Sequence, residues 1–346
     1  MNANGEEQRE ERKISLFRDI CGNESVKRHF QTALKQRNIS HAYLLNGEDG
    51  SGKMMFATAF ARALQCEEGG IEACGRCKSC MQAASGNHPD ISYVTHEKSI
   101  ISVDDIRDQL NAAIQIKPYS APYKVFIIDE AEKMNEHAQN ALLKTLEEPP
   151  EYAVILLLAN NENMLLQTIL SRVIRLDTRP LSSKVICDYL VKTLAIPDYH
   201  AQLAAGFACG NLGRALRFAS SEEFEERKEA ILDLLRHLDQ MTTSEILASI
   251  RTLVEDKAAI ADELDLILLW YRDVLILKAS QKTEELVYKG EISELRHYAT
   301  TRSFPALNRV ILAVETARKR IKANVSAETA FELLFLTMRE TERDLL

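Results

Sequence analysis

A parallel α/β sheet domain followed by an all-helical C-terminal half is the fold class this sequence predicts, on three observations. Gly47 to Met54 form a glycine-rich loop, with a short apolar run before it and a helix-spaced apolar stripe after it. Two more unbroken apolar runs, Lys124 to Asp129 and Val154 to Ala159, read as strands covered on both faces, as in parallel sheets. Beyond Pro180 no strand pattern remains and helical spacing dominates. Strands alternating with helices in the first half point to an open, mostly parallel sheet.

The elements follow in order. The first dozen residues are charged, so 1–14 are expected to form a flexible tail, with ordered structure beginning near Ile14 to Phe17. Val26, Phe30, Ala33 and Leu34 then recur at helical spacing. His41 to Leu45 is a short strand leading into the glycine loop; Met55, Phe56, Ala59, Phe60, Ala63 and Leu64 mark the helix after it. Ala138, Ala141, Leu142, Thr145 and Leu146 give a helix between the other two strands, stopped by Pro149-Pro150. Gly210 and Gly213 interrupt the helical half near a boundary, and Glu222 to Arg227 open a charged amphipathic helix. Leu307, Val310, Ile311, Val314 and Ile321 form one late stripe, and Phe331, Leu334, Phe335 and Met338 another. There is no internal repeat, and 346 residues are enough for two or three domains.

Composition excludes some classes. Hydrophobic content of 46% with 27% charged residues is that of a soluble globular protein. A net charge of −8 argues against a wide basic face, so any DNA contact must come from a local patch or from partners. No secretory signal is visible in Met1 to Glu7, and the most apolar helix candidate, Leu264 to Leu277, is broken by Arg272 and Asp273. No membrane association is expected, and residence in the cytoplasm follows. The chain has 7 cysteines, four of them tightly clustered, which does not suggest disulfides in a reducing compartment.

Gly47-Glu48-Asp49-Gly50-Ser51-Gly52-Lys53-Met54 matches the phosphate-binding pattern G-x-x-x-x-G-K-[ST] except at its last position. In such a loop the amides around Gly47, Gly50, Ser51 and Gly52 cradle phosphate oxygens, Lys53 reaches the terminal phosphates, and a final hydroxyl ligates Mg²⁺. Met54 offers a thioether, a poor partner for a hard cation. Asp129 and Glu130 end a buried strand where Mg²⁺ is held and the attacking water oriented in NTPases. A solvated turn is the alternative for any such acidic pair, but the upstream loop corroborates the first reading. The expectation is a site that does not hydrolyse ATP, with Glu130 vestigial, and the sequence leaves open whether the pocket holds ATP, ADP or neither.

Cys66, Cys74, Cys77 and Cys80 lie within fifteen positions, with two C-x₂-C steps sharing Cys77. Four thiolates suit tetrahedral Zn²⁺ and leave no open position for water, so the expected role is structural. Reduced core cysteines would not explain that spacing beside Gly69, Gly70 and Gly75. Cys21, Cys187 and Cys209 are isolated, and read as ordinary core or surface residues.

Two arginines stay open on spacing alone. Arg172, in Thr168-Ile169-Leu170-Ser171-Arg172, is either a surface or helix-capping residue or a finger presented to a neighbour's γ-phosphate. Arg214, in Gly210-Asn211-Leu212-Gly213-Arg214, is either an exposed residue after a turn or a lid arginine that senses nucleotide.

The glycine loop, the four cysteines, His41-Ala42-Tyr43-Leu44, Asp129-Glu130-Ala131 and Asn140 to Pro150 (NALLKTLEEPP) together resemble bacterial clamp-loader subunits of DNA polymerase III, over nearly the whole chain. The resemblance implies an AAA+ architecture: an α/β domain at 15–180 with a zinc module at 66–80, a helical lid at 181–221, and a helical collar at 222–346 that joins five subunits in a ring. It implies that Arg172 is a finger acting in trans, Arg214 the sensor 2 arginine and Asn160 the sensor 1 residue, with Val173 replacing the usual cysteine. Partners implied are the other ring subunits (gamma/tau and delta), and, through the assembly, the sliding clamp and primer-template DNA. Met54, and the short ending at Leu346, liken the chain to the delta-prime branch. The alternatives are an active gamma/tau-type ATPase, a stand-alone zinc-containing nucleic-acid-binding module, and a purely architectural scaffold whose arginine motif is vestigial.

Overall fold

The computed structural model describes residues 16–95, 99–220, 222–257 and 259–343; the expected tail, 1–14, lies outside them. Five strands make one all-parallel sheet: β1 (Ala42–Asn46), β2 (Ile91–Val94), β3 (Lys124–Ile128), β4 (Ala153–Ala159) and β5 (Ile174–Asp177). Their spatial order is β2-β3-β4-β1-β5. Leu44 thus sits in register with Leu157 on one side and Arg175 on the other.

The unbroken apolar runs follow from this placement. Successive side chains of a strand point to opposite faces, and both faces of β1, β3 and β4 are covered. Tyr43, Leu45, Val125, Ile127, Leu156 and Leu158 join Phe30, Phe56 and Phe60 in one cluster. Leu44, Phe126, Ile128, Ile155 and Leu157 join Leu110, Ile114 and Leu142 in the other. Helices α1 (Glu24–Gln36) and α2 (Lys53–Gln65) meet through Phe30 and Phe60, whose stacked rings are 4.2 Å apart.

Helix α3 (Lys78–Ala84) follows α2. Helix α4 (Val103–Ile106) opens with a capping box between Ser102 and Asp105, widens into a π-helical segment, Arg107–Asn111, and closes with Ala112–Ile114. Single π turns are frequent at functional sites. Helix α5 (Glu136–Glu147) is capped by Asn135, which accepts from Ala138 N, and α6 (Gln167–Leu170) leads into β5. Helix α7 (Ser183–Leu194) closes the run.

The chain divides into two compact units: residues up to Leu194 together with Cys209–Arg214, and Ala195–Ala208 together with Ala215 onward. The second unit is built from α8 (Asp198–Phe207), most of α9 (Leu212–Ser220), α10 (Glu222–His237), α11 (Thr243–Leu253), α12 (Ile260–Ser280), α13 (Ile292–Thr301), α14 (Phe304–Lys322) and α15 (Ala327–Arg343). Its axis is α12, with Leu264, Ile267, Trp270, Tyr271 and Val274 buried. Asp273 is fully buried there and accepts from Val287 N at 2.7 Å and Tyr288 N at 2.8 Å, which accounts for its place inside an apolar helix. The buried Arg302 guanidinium lies 3.9 Å over the Tyr298 ring and donates to the Tyr271 hydroxyl at 2.8 Å.

Of the late stripes, Phe331, Leu334, Phe335 and Met338 are all buried. On α14, Leu307, Val310 and Val314 are buried together with Ala306 and Ala317, whereas Ile311 and Ile321 are half-buried. No helix among the described residues is long and apolar enough to cross a membrane.

Candidate functional site

The glycine loop runs from the end of β1 to the start of α2, with Gly50 and Gly52 at φ of 76° and 89°, a region glycine enters without strain. Gly47 N donates to Ala159 O at 3.0 Å, tying the loop to the end of β4. Lys53 is buried, and its ammonium donates to Gly47 O at 2.7 Å, Glu48 O at 2.8 Å and Asn160 Oδ1 at 2.7 Å. The structure therefore brings Asn160 to the loop. Met54 is only 9% exposed and belongs to the apolar cluster of Tyr43, Phe56 and Phe60. No oxygen ligand can come from its side chain.

Asp129 lies at the end of β3, where burial pushes its carboxyl above the usual range while the Glu130 amide and the Lys53 charge oppose the shift. Glu130 has left-handed backbone, φ 50°, and its carboxylate pairs with Lys133 at 2.7 Å.

A second strand of chain lies against the loop. Asn211 Nδ2 donates to Asp49 O at 2.5 Å, and Gly213 N donates to Gly50 O at 3.0 Å. The approach is so close that a Cβ at Gly213 would lie 2.7 Å from the Gly50 Cα. Arg214 is half-buried in the first turn of α9, its amide bonded to Asn211 Oδ1 at 3.1 Å. On the other flank, Thr178 Oγ1 pairs with Ser51 Oγ at 2.9 Å. The sequence reading missed Asn211 and Thr178; for Asn211 the signal was a polar residue between two glycines.

Arg172 sits apart from this group. Its Nη1 donates to Thr168 O at 2.9 Å, capping α6, and its Nη2 pairs with Glu147 at 2.8 Å. The helix-capping alternative is thus realised in the geometry of the free chain.

The four cysteines converge. Cys66 ends α2, Cys77 caps α3 and Cys80 lies within it, and all four sulfurs fall within 4.8 Å of one another. Cys74 and Cys80 sulfurs are 3.9 Å apart. Zn–S bonds of about 2.3 Å in a tetrahedron give sulfur separations of about 3.8 Å, so the cluster can hold a metal ion. The Arg76 and Cys77 amides pull the Cys74 thiol down to about 7, and burial raises that of Cys80. Behind the cluster, Ser79 Oγ donates to Gln65 O at 2.6 Å and meets His88 Nε2 at 2.9 Å.

The sequence reading also missed a groove of about 410 Å³ between the π segment and α5, lined by Arg107, Asn111, His137, Asn140 and Lys144. Arg107, His137, Asn140 and Lys144 are exposed. Asn111 fixes one wall by donating to Ala141 O at 3.1 Å and accepting from Thr145 Oγ1 at 2.9 Å.

Residues 22–182 match the model of a family described as DNA polymerase III, delta subunit. The delta-prime subunit of DNA polymerase III from Bacillus subtilis is 30% identical over 91% of this chain and 95% of its own length. The chain belongs to the DNA polymerase III clamp-loader family. Within that family the tau subunit of B. subtilis is 29% identical over 80% of this chain and 53% of its own length. The solved structure of a gamma subunit-related protein from Thermotoga maritima is 20% identical, covering 93% of this chain and 99% of that one with a TM-score of 0.48. Identity alone leaves the delta-prime and tau branches side by side.

Proposed function

We propose that this chain is a delta-prime-type, stator-like member of a five-subunit clamp-loader ring. It assists loading of the sliding clamp onto primed DNA during replication. One observation carries the reading: Met54, where the loop needs a magnesium-ligating hydroxyl, is packed into the apolar core. Glycine-loop amides and Lys53 suffice to bind ATP or ADP, but the site lacks the oxygen that Mg²⁺-dependent turnover requires. Asn160 and Arg214 report on that pocket, and Glu130 is a remnant.

In this reading Arg172 reaches the γ-phosphate of an adjacent gamma/tau subunit and completes its site. Residues 181–221 act as the lid and 222–346 as the collar. Zn²⁺ held by Cys66, Cys74, Cys77 and Cys80 is structural, because four thiolates fill a tetrahedral sphere. The groove with Arg107, His137 and Lys144 is the local patch through which an acidic chain meets DNA phosphates.

Arg172→Ala in the reconstituted ring tests the proposal. Turnover at the neighbouring site should fall by about 10³-fold, the range of an arginine finger, while the variant chain stays folded. Unchanged DNA-stimulated turnover would reject the assignment. The second reading, an active gamma/tau-type ATPase, is favoured by the presence of Lys53, Asp129 and Glu130 and is separated by ATP turnover of the isolated chain.

A further inference from the structure

We infer that Glu147 is a positioning residue that holds Arg172 in a resting orientation and releases it when the arginine engages phosphate. The inference rests on the proposed role of Arg172. Two sides of the guanidinium are fixed at once: Nη1 by Thr168 O at 2.9 Å and Ser171 Oγ at 3.2 Å, Nη2 by the Glu147 carboxylate at 2.8 Å. The guanidinium is therefore held by groups of its own chain, and reaching another subunit requires it to leave Glu147.

The placement of Glu147 supports a role beyond the helix. It is the last residue of α5, at the negative end of the helix dipole, where a carboxylate is unfavourable. Pro149 and Pro150 follow after Glu148, so the helix cannot extend and the carboxylate stays at that end. Arg172 pairs with it there.

The strength of the pair suits a latch. Arg172 is 35% exposed and Glu147 51% exposed. An ion pair so open to water shifts an equilibrium by no more than about fivefold. A phosphate group offers more charge and a bidentate fit to the same guanidinium, so it displaces the carboxylate readily.

The test uses the reconstituted ring with Glu147→Gln, Glu148→Gln, Arg172→Ala and the Glu147→Gln/Arg172→Ala double variant. Glu148 is exposed and controls for net charge. With the latch removed, DNA-stimulated turnover at low salt should rise by about two- to fivefold, and the excess should shrink as ionic strength screens the pair in the parent. The rise should be absent with Glu148→Gln and absent on the Arg172→Ala background. Unchanged or lower turnover with Glu147→Gln, or the same rise with Glu148→Gln, overturns the latch while leaving the finger standing if Arg172→Ala still abolishes turnover. If Arg172→Ala has no effect, the finger reading itself fails, and the latch with it.

Discussion

Lys53 donates to Asn160 Oδ1 at 2.7 Å, so two polar groups separated by 107 positions meet where β1 and β4 end side by side. The parallel pairing of those strands makes the meeting possible, since it carries both chain ends to one edge of the sheet. The ammonium also donates to Gly47 O and Glu48 O, two carbonyls of the loop itself. A phosphate arriving there must exchange for at least one of them.

Restoring the hydroxyl separates binding from metal use. Met54→Thr removes a buried apolar side chain and should cost about 2–4 kcal/mol of stability, seen as a lower denaturation midpoint. In return, ATP affinity should become Mg²⁺-dependent. Calorimetric titration with and without Mg²⁺ checks this; equal Mg²⁺ dependence in the parent and the variant would contradict it.

The cysteine cluster predicts one zinc per chain in elemental analysis of gently purified protein. Replacing Cys80, fully buried among the four, by Ser should remove the metal and lower the thermal midpoint of the first unit by several degrees. Retention of stoichiometric zinc in Cys80→Ser would exclude the four-sulfur site.

Glu263, buried on α12, is pushed up to about 7 by burial; nearby Arg227 opposes the shift, and Asp256 and Asp262 reinforce it. A folded pKa above the unfolded value means that the native state holds more protons between about pH 4.5 and 7. This contribution to stability is therefore fully present below about pH 4.5 and lost as pH rises through 7, by at most about 3 kcal/mol. Glu263→Gln should flatten that part of the stability profile and stabilise the protein at pH 8. Denaturant melts at pH 5 and pH 8 read the effect, and an unchanged difference between them would disprove it.

Much of the sheet was legible because β1, β3 and β4 are its three central strands, and burial on both faces leaves continuous apolar runs in the sequence. The two unforeseen strands are its edges. Ile91–Val94 is mostly half-buried, and Ile174–Asp177 exposes Ile174, Arg175 and Asp177, so neither carries such a run. The site divides the same way. The glycine loop and the cysteines are local patterns whose spacing encodes their chemistry, and the four cysteine sulfurs do come together. Asn211 on Asp49, Thr178 on Ser51 and Glu147 on Arg172 are contacts between distant segments, and no local spacing announces them. The groove of Arg107 and Lys144 needs the packing of α4 on α5, which emerges only in three dimensions.

Steady-state phosphate release by the purified chain alone, with ATP and Mg²⁺, bears most directly on the thioether at position 54. The expected rate is background, identical for the parent and Lys53→Ala. Brisk Mg²⁺-dependent turnover that disappears in Lys53→Ala would contradict the stator assignment and place the chain among the motor subunits.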